Sequence, residues 1–245
     1  MRQSDFLRIF DVVQHALTTL FFFLAAIVWG AALIPPIFGM ICLWTESAEW
    51  DPLIRSVALG FGVGLSYIAW VGLLLFEIGL IGAILRPRLP EGRVPLRSFT
   101  TIRWGMIGAL HRMAINQLGL VIPSYIGSFY YRLMGCKVGK GAQLNSTSIN
   151  DSFMVHIGDR TVIGGGAAIN GHIVEKGELI LSPVKIGKDC VIGSGSFINP
   201  GCVIGDGSVL ASRAVLPKWT QIPSGEIWGG IPARRIRSRN ATEEE

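Results

Sequence analysis

Charge is the scarcest ingredient of this 245-residue sequence: Asp, Glu, Lys and Arg together make up 16% of it, against roughly 25% in average soluble domains. Half of the residues are hydrophobic, and the mean hydropathy is +0.47. That balance excludes a disordered chain, which is rich in charge and poor in apolar residues. It also argues against a single water-soluble globule. Bases outnumber acids, 22 to 17, yet no basic stripe is interleaved with aromatics, so no nucleic-acid partner is expected. Cysteine is scarce as well. Cys42, Cys136, Cys190 and Cys202 lie far apart and form no C-x-x-C pair, which excludes a zinc knuckle or a small disulfide framework. Reduced core thiols facing a reducing compartment are predicted.

Two stretches hold no charge at all. The first runs from Val12 to Thr45 and contains LFFFLAAIVWGAALI, longer than the roughly 20 apolar residues that cross a bilayer. Pro35-Pro36 predicts a kink or a stop near its far side. A signal peptide is disfavoured, because the apolar core is too long and no small-residue cleavage site follows it. The second stretch, Ser56 to Phe76, carries Gly60, Gly62 and Gly64, which offer a surface for close helix approach. A transmembrane hairpin is therefore expected within residues 1–97, with spans at about 13–44 and 55–85. The connection TESAEWD has three acids and no base, whereas Arg86 to Arg103 holds five arginines and one acid. The excess of arginine places both termini on the cytoplasmic side of the inner membrane. Arg55 reads as a snorkelling end charge. Glu77 may be read either way, as a second end charge or as an intramembrane functional group.

Residues 98–134 form a third region. Phe99, Ile102, Met106, Leu110 and Met113 recur at three- and four-residue steps, with Arg103, His111 and Arg112 between them. This predicts an amphipathic helix along the cytoplasmic membrane surface, with His111 on its basic face. After Pro123 the segment PSYIGSFYYRLMG has tyrosines and Arg132 suited to the same interface.

From Cys136 onward the period becomes six. Val138 and Leu144 begin it, Ile157, Ile163 and Ile169 continue it, and Ile186, Ile192, Ile198, Ile204, Leu210 and Leu216 complete it. Glycine usually follows the aliphatic residue, and a small or β-branched residue stands two positions before it. A helix cannot present a six-residue repeat on one face. Short strands with Gly, Asn and Asp corners can, and coils stacked on one another bury the aliphatic positions. An all-β parallel β-helix is expected over 135–237, followed by a flexible tail at 238–245.

This region resembles the hexapeptide-repeat, or isoleucine-patch, acyltransferases, down to the closing IWGGIPARRI. The stretches RPRLPEGRVPLRSF and YYRLMGCKVGKGAQL also resemble a membrane-anchored subgroup that includes the C-terminal region of poly-amino-acid synthetases of the poly-lysine type. The resemblance implies a left-handed β-helix, a homotrimer, and acetyl-CoA as acyl donor in the groove between neighbouring prisms. It also implies that a histidine in the loop breaking the repeat, here His172, is the general base. Such a base takes the acceptor's proton for direct attack on the thioester. Register arithmetic then offers Asp189 as its partner, since Ile169 and Ile186 are 17 apart, close to one coil, and both polar residues lie three positions further on. Asp151 and Asn150, about one coil earlier, are rival partners or acceptor contacts, and Asn170 is similar.

For the cofactor, Ser194, Ala211, Ser212, Gly230 and Pro232 offer small groups along a groove edge, and Lys218, Arg234 and Arg235 could meet the phosphates of CoA. No metal is expected. His156 and His172 are the only histidines of the repeat, with His15 and His111 elsewhere, too few for a three-histidine zinc site. The expected activity is O-acetyl transfer to a lipid-linked or envelope glycan precursor at the membrane lipid surface. An N-acyltransferase and a non-catalytic trimeric membrane scaffold are the alternatives.

Overall fold

The computed structural model describes residues 3–86 and 88–238. From residue 239 onward, the expected tail lies outside them. The chain divides into two compact units, residues 1–78 and 79–245.

The first unit is helical: α1 spans Gln3–Glu46, and α2, Pro52–Leu85, begins in it. Both helices are long and apolar enough to cross a membrane. Phe22, Phe38, Phe61, Leu65 and Ile68 are each about two-thirds exposed or more, an arrangement that lipid favours and water penalises. Of the kink or stop expected at Pro35-Pro36, the stop does not occur: α1 continues to Glu46. From α2 the Ser66 hydroxyl donates to the Pro36 carbonyl at 3.4 Å. Of the three expected contact glycines only Gly62 faces α1, where a Cβ would fall 2.6 Å from Leu43. Gly60 and Gly64 open on space, because positions two apart on a helix point away from each other. Arg55 lies 4.4 Å over the Trp44 ring and donates to the Trp44 carbonyl. Glu77 is half-buried in α2.

In the second unit, β1 (Gly92–Pro95) precedes α3 (Phe99–Val121) and α4 (Tyr125–Leu133). Ser98 and Ser124 cap the two helices through their hydroxyls. The coil follows. Its first turn holds β2 (Lys137–Val138), β3 (Gln143–Leu144) and β4 (Ile149–Asn150). Its second holds β5 (Val155–Ile157), β6 (Val162–Ile163) and β7 (Ala168–Asn170). An antiparallel hairpin, β8 (His172–Glu175) and β9 (Glu178–Leu181), then leaves the coil. Winding resumes with β10 (Val184–Ile186), β11 (Val191–Ile192) and β12 (Phe197–Ile198), then β13 (Val203–Ile204), β14 (Val209–Leu210) and β15 (Val215–Leu216). β16 (Gln221–Ile222) and the closing antiparallel pair β17 (Glu226–Gly230) and β18 (Ala233–Ser238) end it.

Three parallel faces result, β2-β5-β10-β13-β16, β3-β6-β11-β14-β17 and β4-β7-β12-β15. Together they form the left-handed β-helix. Ile157, Ile186, Ile204 and Ile222 stack in one column. Leu144, Ile163, Ile192 and Leu210 form the second, and Ile149, Ile169, Ile198 and Leu216 the third. All of these are buried. The glycine after the aliphatic residue answers to close approach of the coils. At Gly139, Gly158, Gly164, Gly187, Gly193 and Gly205 a Cβ would fall 2.3 to 2.6 Å from the neighbouring coil. Cys136, Cys190 and Cys202 are buried, and burial pushes their thiols upward, Cys136 to about 12 and Cys202 to about 11. Cys42 is exposed instead.

His111 and two tyrosines expected at the membrane surface are instead buried. α3 buries Ile107, His111, Met113, Ala114, Gln117 and Leu118, so Met113 of the apolar stripe and His111 turn inward, while Phe99 and Met106 of the stripe are exposed. Tyr130 and Tyr131 are fully buried, and the Tyr131 hydroxyl donates to the Ser146 carbonyl at 2.7 Å. The helices thereby cover the open first turn of the coil, whose unpaired edge and apolar interior need a cap.

Candidate active site

His172 opens β8, immediately after the coil ends at Asn170 and Gly171. The hairpin is ordered. β1 adds to it antiparallel, Leu96 N–H donates to the Gly177 carbonyl at 2.9 Å, and Leu179 and Leu181 pack with Met154, Val94, Leu96 and Trp104. These contacts hold the start of β8 against α3. Asp151 occupies the same corner one coil earlier, in the left-handed region at φ 53°, before a 3-10 turn at Ser152–Met154. The extra residues of that turn bring its carboxylate onto the histidine.

His172 Nδ1 lies 2.5 Å from Asp151 Oδ2. Gly171 N–H donates to the same oxygen at 3.1 Å, and the Trp104 indole N–H donates to Oδ1 at 2.6 Å. The carboxylate is nearly closed off from solvent at 4% exposure, whereas the imidazole retains 27%. With Nδ1–H donating to Asp151, the neutral ring carries its lone pair on Nε2. Trp104 also lies against the imidazole, ring centroids 4.6 Å apart. The ring therefore has one orientation and one free basic nitrogen. Trp104 escaped the sequence reading, since it stands 47 positions from Asp151 and looked like one apolar residue among many on a helix.

Asp189 is not the partner. Its carboxylate makes two hydrogen bonds, each 2.6 Å long, to the Arg160 guanidinium. The register assumption failed because the hairpin adds residues between coils, so Ile169 stacks on Ile198 and Ile186 on Ile157. Asn150 and Asn170 are stacked neighbours, with Asn150 Nδ2 donating to Asn170 Oδ1 at 2.8 Å. Asn170 is buried, so of the two only Asn150 reaches the cavity at the dyad.

That cavity, about 300 Å³, lies between α3 and the coil. His111 lines it rather than facing lipid headgroups. Its Nε2 donates to the Thr147 carbonyl at 3.0 Å, and its Nδ1 accepts from the Tyr130 hydroxyl at 2.9 Å. A carbonyl can only accept, which fixes the tautomer. Burial lowers the pKa of His111 and favours the neutral ring.

The residues expected to hold CoA are only partly gathered. The positions of Ser194, Ala211, Ser212 and Gly230 stack at one corner, between the second and third faces. Pro232, Arg234 and Arg235 belong to the closing pair, where Ala211 would meet a Cβ at Gly229. Arg235 Nε is 3.0 Å from Glu226, and Arg234 is exposed. Lys218 is separated from them. It follows β15, at the other end of the third face, and its ammonium is paired with Glu175 of the hairpin. The corner of Ser194, Ala211, Ser212 and Gly230 and the dyad corner thus flank one face, roughly 20 Å apart for six extended residues.

No group of three His, Cys, Asp or Glu side chains stands close enough to share a metal ion among the described residues. His156 lies in register between Lys137 and Lys185, which lower its pKa together with burial. Two flanking ammonium groups do not suit a divalent cation.

Residues 180–218 match the family described as bacterial transferase hexapeptide (six repeats). Delta-poly-L-ornithine synthetase of Acinetobacter baumannii is 24% identical over 182 residues, 73% of this chain and 14% of that protein. Gamma carbonic anhydrase 1, mitochondrial, of Arabidopsis thaliana is 34% identical over 117 residues, 44% of this chain and 38% of that protein. The chain thus spans well under half the length of either relative. Among solved structures, a maltose O-acetyltransferase from Clostridium difficile 630 aligns with a TM-score of 0.47 at 19% identity, covering 66% of this chain and 95% of that one. The matched residues 180–218 lie within the parallel β-helix of residues 137–230.

Proposed function

We propose that this chain is a membrane-anchored, acyl-CoA-dependent acyltransferase in which His172, oriented by Asp151, is the general base. The observation that carries the reading is the dyad itself: a half-open imidazole whose Nδ1 is held by a closed-off, triply bonded carboxylate. An acceptor hydroxyl gives its proton to Nε2 as its oxygen attacks the thioester carbonyl. The carbon–sulfur bond then breaks, and the departing thiolate recovers the proton from the imidazolium. Asp151 remains ionised throughout and stabilises the transient positive ring. Acetyl-CoA is the proposed donor, laid along the Ser194, Ala211, Ser212 and Gly230 corner with Arg234 at its phosphates. Within one copy that corner is a full coil side from His172, so the site is completed between copies of a homotrimer. Exposed Val162, Val191 and Phe197 on the outer faces supply apolar surface for such packing.

The proposed acceptor is a hydroxyl of a lipid-linked or envelope glycan precursor. α1 and α2 anchor the chain, both termini and the coil lie on the cytoplasmic side, and exposed Phe99, Met106, Leu120, Tyr125 and Phe129 rest at the membrane surface. Protein reconstituted in bilayers should release free CoA thiol from acetyl-CoA when envelope lipid extract is added. Absence of both turnover and CoA binding would overturn the reading in favour of a scaffold.

A further inference from the structure

We infer that the cavity between α3 and the coil holds a linear hydrocarbon chain attached to the reacting centre; this rests on His172 being the base. The cavity runs beside α3 from Trp104 to Ile115, roughly 16 Å at 1.5 Å per residue. The dyad marks one end, since Trp104 touches both His172 and Asp151. Ile115 marks the other, and Met134 lines the cavity from the end of α4.

Two glycines leave the space between these ends open. A Cβ at Gly105 would meet nothing within 4 Å, and at Gly108 only the Arg112 guanidinium at 3.8 Å. At Gly79, Gly82 and Gly127 of this unit's helices a Cβ would fall 2.4 to 2.8 Å from a packed side chain, and at Gly119, outside the cavity, 3.9 Å from Thr147. Glycine weakens a helix relative to alanine, so its use at 105 and 108 without any packing reason points to a volume kept for a ligand.

The polar lining indicates what that ligand is. Both nitrogens of His111 are engaged, the Asp151 carboxylate has its three donors, and Asn150 and Ser152 bond within the coil. His172 Nε2, the Asn150 side-chain oxygen beside it and the exposed Arg112 remain to meet an occupant. A fitting molecule has one reactive polar atom at the dyad and an apolar remainder along Ile107 and Ile115. That chain can belong to an alcohol acceptor or to the acyl group of the donor.

The test uses the full chain in bilayer nanodiscs and a photoreactive dodecanol with a terminal diazirine. Label should fall at the far end, on Ile115, and drop about tenfold or more in Gly108→Leu, as expected when bulk is added to an apolar pocket. A thermal melt reports whether that variant folds, and Gly105→Leu replaces it if it does not. Label elsewhere, or undiminished in the folded variant, overturns the inference. This readout needs no turnover, so it is separable from failure of the base. Acetyl- to dodecanoyl-CoA and ethanol to dodecanol series then identify the source. The long-to-short rate ratio should fall in Gly108→Leu for the partner that owns the chain, and a ratio unchanged in both series overturns the inference.

Discussion

At the corner where the coil meets its hairpin, Asp151 does its work only because three N–H groups converge on it. Asp151→Asn would present an amide that cannot accept as a carboxylate does and would release the His172 tautomer. We predict a fall in turnover of roughly 10²-fold or more, with folding retained, measured as thiol release beside a thermal melt. Trp104→Phe keeps the ring beside His172 but removes the donor to Oδ1, and a smaller loss of about tenfold is expected, on the scale of a charge-assisted hydrogen bond. His111 gives a pH signature. Its folded pKa lies below the ordinary 6.5 because of burial. The stability it contributes is therefore complete above about pH 6.5 and is lost as pH falls through the depressed folded value. Wild type should lose melting temperature below pH 6.5 more steeply than His111→Gln; equal slopes would contradict this.

The elements differ in how far the sequence discloses them. The six-residue period of Ile186 to Leu216 reports the coil directly, because each aliphatic position meets its counterpart one coil away. The same period mispaired His172 with Asp189, since spacing alone does not say that the hairpin of 172–181 lies outside the winding. Asp151 was visible as a candidate, but Trp104 was not, because the fold alone brings α3 to that corner. The buried side of α3 is hidden from the sequence for a related reason. Periodicity shows that a helix has an apolar side, yet the buried side contains His111 and Gln117, which only the coil and α4 explain. Glycines make the contrast measurable. Gly193→Ala would place a Cβ 2.3 Å from the Ser212 backbone nitrogen and should destabilise by about 1–3 kcal/mol. Gly105→Ala meets nothing within 4 Å and should stabilise by up to about 1 kcal/mol. Urea unfolding of the two variants checks both signs.

For the whole molecule, scarcity of charge has two sources, apolar helices that suit a bilayer and a coil whose interior is aliphatic. Under the proposed function, the corner of Ser194, Ala211, Ser212 and Gly230 and the dyad lie a coil side apart in one copy, so activity requires assembly. Copies carrying His172→Ala, mixed with copies blocked by Ala211→Trp, should recover activity that neither shows alone, provided that subunits exchange before assay. The central claim is that His172 moves the acceptor's proton. Thiol release from acetyl-CoA, at saturating acceptor and with CoA binding measured in parallel, tests it most directly. The account predicts that His172→Ala binds CoA as wild type does and loses at least about 100-fold in rate. An unchanged rate in His172→Ala would contradict it.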